Sequence, residues 1–79
     1  MDRPLSEARA GERVIICSIN ADASRIDKLA ALGLLPGAEL TVQQTKPAVI
    51  VWCDETSLAI EPALAAMVRV VTPASRPGG

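Results

Sequence analysis

The run Leu29-Ala30-Ala31-Leu32-Gly33-Leu34-Leu35-Pro36-Gly37 constrains the fold of this chain more than any other stretch. It spells the end of a helix, a glycine stop, two apolar residues and a turn that launches a strand. Leu29 and Leu32 stand three apart, which sets them on one helix face. Gly33 falls where the last helical turn gives way to positive φ, a conformation that a residue without Cβ enters freely. Pro36 presets φ for the second position of a tight turn, and Gly37 suits the third, where φ is positive. Leu32, Gly33, Leu34, Pro36 and Gly37 therefore define a corner between one helix and the strand that follows it. Leu34 is expected to turn inward there and Leu35 to stay outside as a small apolar knob.

The other elements arrange themselves around that corner. Met1 to Pro4 reads as a loose lead-in, and Ser6 as the cap of a short turn through Glu7, Ala8 and Arg9 that Gly11 stops. Arg13 to Ile19 is rich in β-branched residues and predicts a strand. Ser24 reads as the N-cap of the helix, with Asp27 three residues on as a weak capping box. Ile26, Leu29 and Ala30 line its apolar face, and Arg25 and Lys28 the other. Glu39 to Thr45 alternates as a half-buried strand. Lys46-Pro47 breaks it, Ala48 to Cys53 resumes as a strand, and Asp54-Glu55 marks a turn. Ser57 to Glu61 is a further strand, Pro62 opens a helical turn to Ala66, and Met67 to Val71 is the last strand. About five short strands, one short helix before the second and a helical turn before the last describe a small, mostly β domain, and an SH3-like barrel hides its strand edges at this size. The expectation is one domain over residues 1–79, its core from about 5 to 71, with Thr72 to Gly79 as a frayed tail.

The chain has 79 residues, 49% of them apolar, enough for one small folded domain. It has no Phe, no Tyr and a single Trp, so Val, Ile, Leu and Ala must build the core. An aliphatic core buries less area per residue than an aromatic one, which favours sharing apolar surface with a partner or with a second copy as a homo-oligomer. The net charge is -1 and the eight Lys and Arg form no basic run, so nucleic acid is not an expected partner. No apolar run reaches bilayer length, so direct membrane insertion is not expected. The N-terminus lacks the pattern of a secretion signal, and two Cys read as reduced thiols. These features predict a cytoplasmic protein.

The corner motif, with Leu5, Gly11, Leu29, Leu40, Val42, Pro47, Ser57-Leu58-Ala59-Ile60, Ala65, Val68 and Val70, resembles the ferrous iron transport protein A (FeoA) family over about Leu5 to Val70. The Leu-Gly-Leu-x-Pro-Gly element carries most of the resemblance. The same domain closes iron-dependent repressors of the diphtheria-toxin-repressor type, but this chain has no room for their DNA-binding portion. The resemblance implies an SH3-like barrel that acts as an accessory or regulatory binder in ferrous iron uptake. The implied partner is the cytosolic, GTP-binding part of a FeoB-type membrane transporter, which would recruit the chain to the inner face of the membrane. Two departures stand out. The loop before Pro47 is shorter than in relatives, and Glu61 and Pro62 occupy places where relatives often carry basic residues.

The residues offer little chemistry. With no His in the chain, Ser-His and Cys-His nucleophile arrangements are excluded. There is no Gly-rich phosphate loop, so neither enzymatic activity nor a cofactor is expected. Cys17 and Cys53 both fall in predicted strands and would be neighbours if the barrel brought those strands together. Packing is the preferred role of both. The alternative is a small Fe or Zn sensor or metallochaperone domain that uses them as ligands. For partner binding the first candidate is Trp52. Strand alternation sets Val49, Val51 and Cys53 on one face and Ile50 and Trp52 on the other, and both faces are apolar. The indole is either an interface residue or the largest residue of the core. Leu35, Lys46 and Pro47 are the remaining partner-binding candidates.

Overall fold

The computed structural model describes residues 2–73. Six strands form one antiparallel sheet that curls about an aliphatic core: β1 (Arg3–Pro4), β2 (Arg13–Ile19), β3 (Glu39–Gln44), β4 (Val49–Cys53), β5 (Thr56–Ile60) and β6 (Val68–Val71). Their spatial order is β1-β6-β2-β3-β4-β5. Helix α1 (Ala23–Ala31) connects β2 to β3, and α2 (Pro62–Ala65) connects β5 to β6. This is the expected mostly β fold with one strand added at the N-terminus. The lead-in is not loose, because Arg3 and Pro4 pair with Val70 and Arg69. Ion pairs from Arg3 to Glu12 and from Arg69 to Asp2 hold it there. The guanidinium partners hold the Asp2 and Glu12 carboxyls below their ordinary values. Most of the tail, residues 74–79, lies outside the described residues; Thr72 accepts a 2.9 Å hydrogen bond from Arg3.

The helix begins earlier than the Ser24 cap predicts. Asp22 is the N-cap, and its Oδ1 accepts from the Arg25 backbone N–H at 3.0 Å. Its other oxygen meets the Arg25 guanidinium at 3.2 Å. Asp22 therefore satisfies an otherwise unpaired helical donor and holds a charge near the positive end of the helix, while Ser24 sits inside the first turn. Ser6 likewise makes no cap bond; the turn there is a single 3-10 turn over Leu5–Glu7.

The other end of α1 closes as the glycine predicts. Gly33 has φ +87°. Its N–H donates to the Ala30 carbonyl at 2.9 Å, and the Leu34 N–H reaches back to Leu29 at 2.8 Å. These two bonds form a Schellman cap, with its apolar contact made between buried Leu29 and Leu34. Leu35 and Ala38 are then joined by a 2.9 Å turn bond across Pro36 and Gly37 (φ +95°). The helix-face expectation holds for Leu29 but not for Leu32, which is the C-cap and is 51% exposed. Helical periodicity ends at that residue, so its side chain leaves the apolar face.

Alternation of period two fills the core from the strands. Val14 and Ile16, Leu40 and Val42, Val49 and Val51, and Val68 and Val70 are all buried, as is Leu5. No polar or charged residue is buried among those described, so the core holds no group whose desolvation needs compensation. Two bulges break the ladders. One leaves Cys17 unpaired between Ile16 and Ser18, and the other leaves Gln43 unpaired between Val42 and Gln44.

Candidate functional site

Strand β4 places the partner-binding candidates. Its inner residues Val49, Val51 and Cys53 are buried, so Ile50 and Trp52 face outward. Register fixes their neighbours: Trp52 lies between Thr41 and Ser57, and Ile50 between Gln44 and Ala59. Ser57 Oγ donates to Gln43 Oε1 at 2.8 Å, a bond that crosses β4 on this face. Trp52 is 41% exposed, so the structure places it on the surface and not in the core. The face carries no charge from Thr41, Gln43, Gln44, Ile50, Trp52, Ser57 or Ala59. The nearest charges on this face, the Arg13–Glu39 pair, lie one strand further, beyond Thr41. An exposed Trp ringed by uncharged side chains has the composition of an interface centre, where aromatics are enriched and charges depleted.

The other candidates lie around it. Lys46 and Pro47 form the exposed connection from β3 to β4. Leu35 is 46% exposed at the corner after α1. That corner rests against the β4–β5 turn, since a Cβ on Gly33 would stand 3.9 Å from the Asp54 carboxylate. The turn itself is a two-residue loop, with Asp54 and Glu55 both at positive φ (51° and 63°). This is the twist that hairpins of this length require.

A second feature was not legible in the sequence. Between α1 and α2 runs a groove of about 390 Å³, lined by Leu29 and Leu32 on one side, Ala63, Leu64 and Met67 on the other, and the end of β5 at Ala59, Ile60 and Glu61. Arg25 and Lys28 stand on its α1 rim. The only sequence signal for it is that Leu64 and Met67 are the large apolar residues in an alanine-rich stretch.

The two thiols are not brought together. Strand β3 separates β2 from β4. Cys53 alternates inward and is buried, while Cys17 follows buried Ile16 and alternates outward, where its thiol donates to the Arg69 carbonyl at 3.3 Å. Among the described residues no group of three or more His, Cys, Asp or Glu side chains is gathered. Burial, with the neighbouring Asp54 carboxylate second, pushes the Cys53 thiol up, which disfavours the reactive thiolate. Under native conditions an alkylating reagent is therefore expected to add once, at Cys17, and to reach Cys53 only after unfolding. Peptide mass spectrometry before and after denaturant checks this.

A model of the FeoA domain matches residues 3–72. The chain belongs to the FeoA family. The structure of an iron uptake regulatory protein (FeoA) is similar at 32% identity and a TM-score of 0.83, over 90% of this chain and 96% of that one. A FeoA protein from Chlorobium tepidum is 31% identical, with a TM-score of 0.84 over 95% of this chain and 74% of that one. The IdeR protein of T. acidophilum is 25% identical with a TM-score of 0.84, and there the likeness covers 34% of that chain. Among curated proteins no match is found. The family associates this chain with ferrous iron transport, and among the described residues no helix is long and apolar enough to cross a membrane.

Proposed function

We propose that this FeoA-family chain is a non-catalytic accessory of ferrous iron uptake that works in the cytoplasm by docking onto the cytosolic part of a FeoB-type transporter. One observation carries the reading: the single aromatic side chain is displayed outward on β4 beside Ile50, with uncharged Thr41 and Ser57 as its cross-strand neighbours. A core that is otherwise wholly aliphatic gains nothing from a Trp held in water. Trp at the centre of an interface, by contrast, commonly dominates binding because it buries a large area and keeps one polar N–H.

The test is a calorimetric titration of the full chain against the soluble cytosolic part of the cognate transporter. Trp52→Ala is expected to weaken binding by about tenfold or more while leaving the thermal midpoint close to that of the wild type, because the side chain supports little of the core. No heat of binding at high micromolar concentration, with both partners folded, would overturn the proposal.

A further inference from the structure

The sheet has two edges, and they are built differently. Strand β1 is two residues long and consists of Arg3 and Pro4. Short length, a charge and a proline are the devices that stop an edge from templating another strand. Strand β5 has none of them: Thr56–Ile60 is five residues without charge or proline, and among the described residues it pairs only with β4. Its hairpin register is Cys53 with Thr56, Val51 with Leu58 and Val49 with Ile60. In a two-residue hairpin these are the hydrogen-bonded pairs, and Trp52–Ser57 and Ile50–Ala59 are the non-bonded ones. The N–H and C=O groups of Ser57 and Ala59 therefore point away from the sheet.

This open edge runs into the α1–α2 groove, because Ala59 and Ile60 form one of its walls. Glu55 and Glu61 flank the strand, and neither makes an ion pair among the described residues. The spacing between them along the strand is about 20 Å. That charge pattern selects the occupant. A second copy of this chain, paired antiparallel through Ser57 and Ala59, would set Glu55 directly opposite Glu61 at both ends, and like charges opposite each other are destabilising. A segment with basic residues at the same separation meets the Glu55 carboxylate at one end and the Glu61 carboxylate at the other, where Lys28 and the Asp22-paired Arg25 stand on the opposite rim of the groove.

We propose that β5 and the α1–α2 groove receive an extended segment of a partner polypeptide. The segment adds a strand through Ser57 and Ala59, sets an aliphatic side chain among Leu32, Ile60, Leu64 and Met67, and places basic side chains against Glu55 and Glu61. Main-chain bonds then give affinity and the groove gives specificity, as in strand addition generally. This rests on the docking reading above and names its mode, since the added strand extends the same outer face that carries Ile50 and Trp52.

Two probes separate the proposals. The first is a capped peptide, Lys-Val-Thr-Leu-Thr-Val-Lys, compared with the same peptide carrying Glu at both ends, each titrated into the full chain by NMR. The basic-ended peptide is expected to bind and to slow exchange of the Ser57 and Ala59 amides. Ala59→Pro removes an N–H that β4 does not use and is expected to weaken binding by about tenfold or more, as is Leu32→Glu. The double variant Glu55→Lys, Glu61→Lys is expected to prefer the acid-ended peptide. Failure of the basic-ended peptide to bind, unchanged amide exchange, or indifference to charge reversal would each overturn the strand-addition proposal. The second probe is the transporter's cytosolic part. Binding of the peptide without binding of that domain would leave the edge site standing and reject the transporter as its partner. Binding of the domain that survives Ala59→Pro and Leu32→Glu would do the reverse.

Discussion

Leu34→Ala is expected to destabilise the domain by about 3 kcal/mol, within the range found for removing a buried leucine. Leu34 is 1% exposed and packs in the core cluster with Leu29, both at the corner that joins α1 to β3. The loss comprises the transfer energy of the deleted methyl groups and the cavity they leave. Relaxation into that cavity is restricted here. The Leu34 N–H is pinned to the Leu29 carbonyl at 2.8 Å, so the backbone cannot follow the missing side chain without breaking the helix cap. A domain of this length has a total stability of about 4 to 12 kcal/mol, so the variant keeps only part of its margin. The thermal midpoint is expected to fall by on the order of 15 °C. Urea unfolding followed by far-UV circular dichroism checks it. A decrease below about 1 kcal/mol would show that the corner is not packed as described.

Gly33→Val is expected to cost about 2 kcal/mol, and here the cause is the backbone alone. A Cβ at this position meets nothing closer than the Asp54 carboxylate at 3.9 Å, so the β-carbon itself meets no clash. The residue sits at φ +87°, where an L-residue carries a penalty of about 1–2 kcal/mol and a β-branched one more. The series Gly33→Asn, Gly33→Ala, Gly33→Val should therefore rank in increasing cost, with Asn nearest the wild type because its short amide tolerates this conformation. Chemical denaturation of the three variants gives the ranking. Equal losses across the series would point to packing in place of backbone strain.

Where the structure agrees with the sequence, the determining chemistry is local. Arg13–Ile19 is the strand that its β-branched residues predict, and the corner at Gly33 and Pro36-Gly37 forms because glycine and proline set φ without help from afar. The differences are non-local. Arg3 and Pro4 pair only because Val70 and Arg69 arrive beside them, and nothing near residue 3 in the chain foretells that. Asp22 and Ser24 are both good caps by type, and the choice fell to the carboxylate that meets both the N–H and the guanidinium of Arg25. Ser18 is exposed and Ile19 packs against the core because one residue too many stands opposite β6, an event that period-two alternation does not encode. For the candidate site, alternation set Ile50 and Trp52 on a common face but left open which face the core would claim. The groove between α1 and α2 is made from residues far apart in the chain, and only the closed fold shows it.

The outward placement of Trp52 also decides what light reports about this molecule. It is the sole aromatic residue of the chain, and 41% of it meets solvent in the folded state. The ring is partly hydrated already, so unfolding is expected to red-shift its emission less than it would a buried indole, and the aliphatic interior stays optically silent. Capture of the β4 face by another polypeptide would strip water from that ring and shift its emission to the blue. The fold thus carries a built-in dye for association at the β4 face.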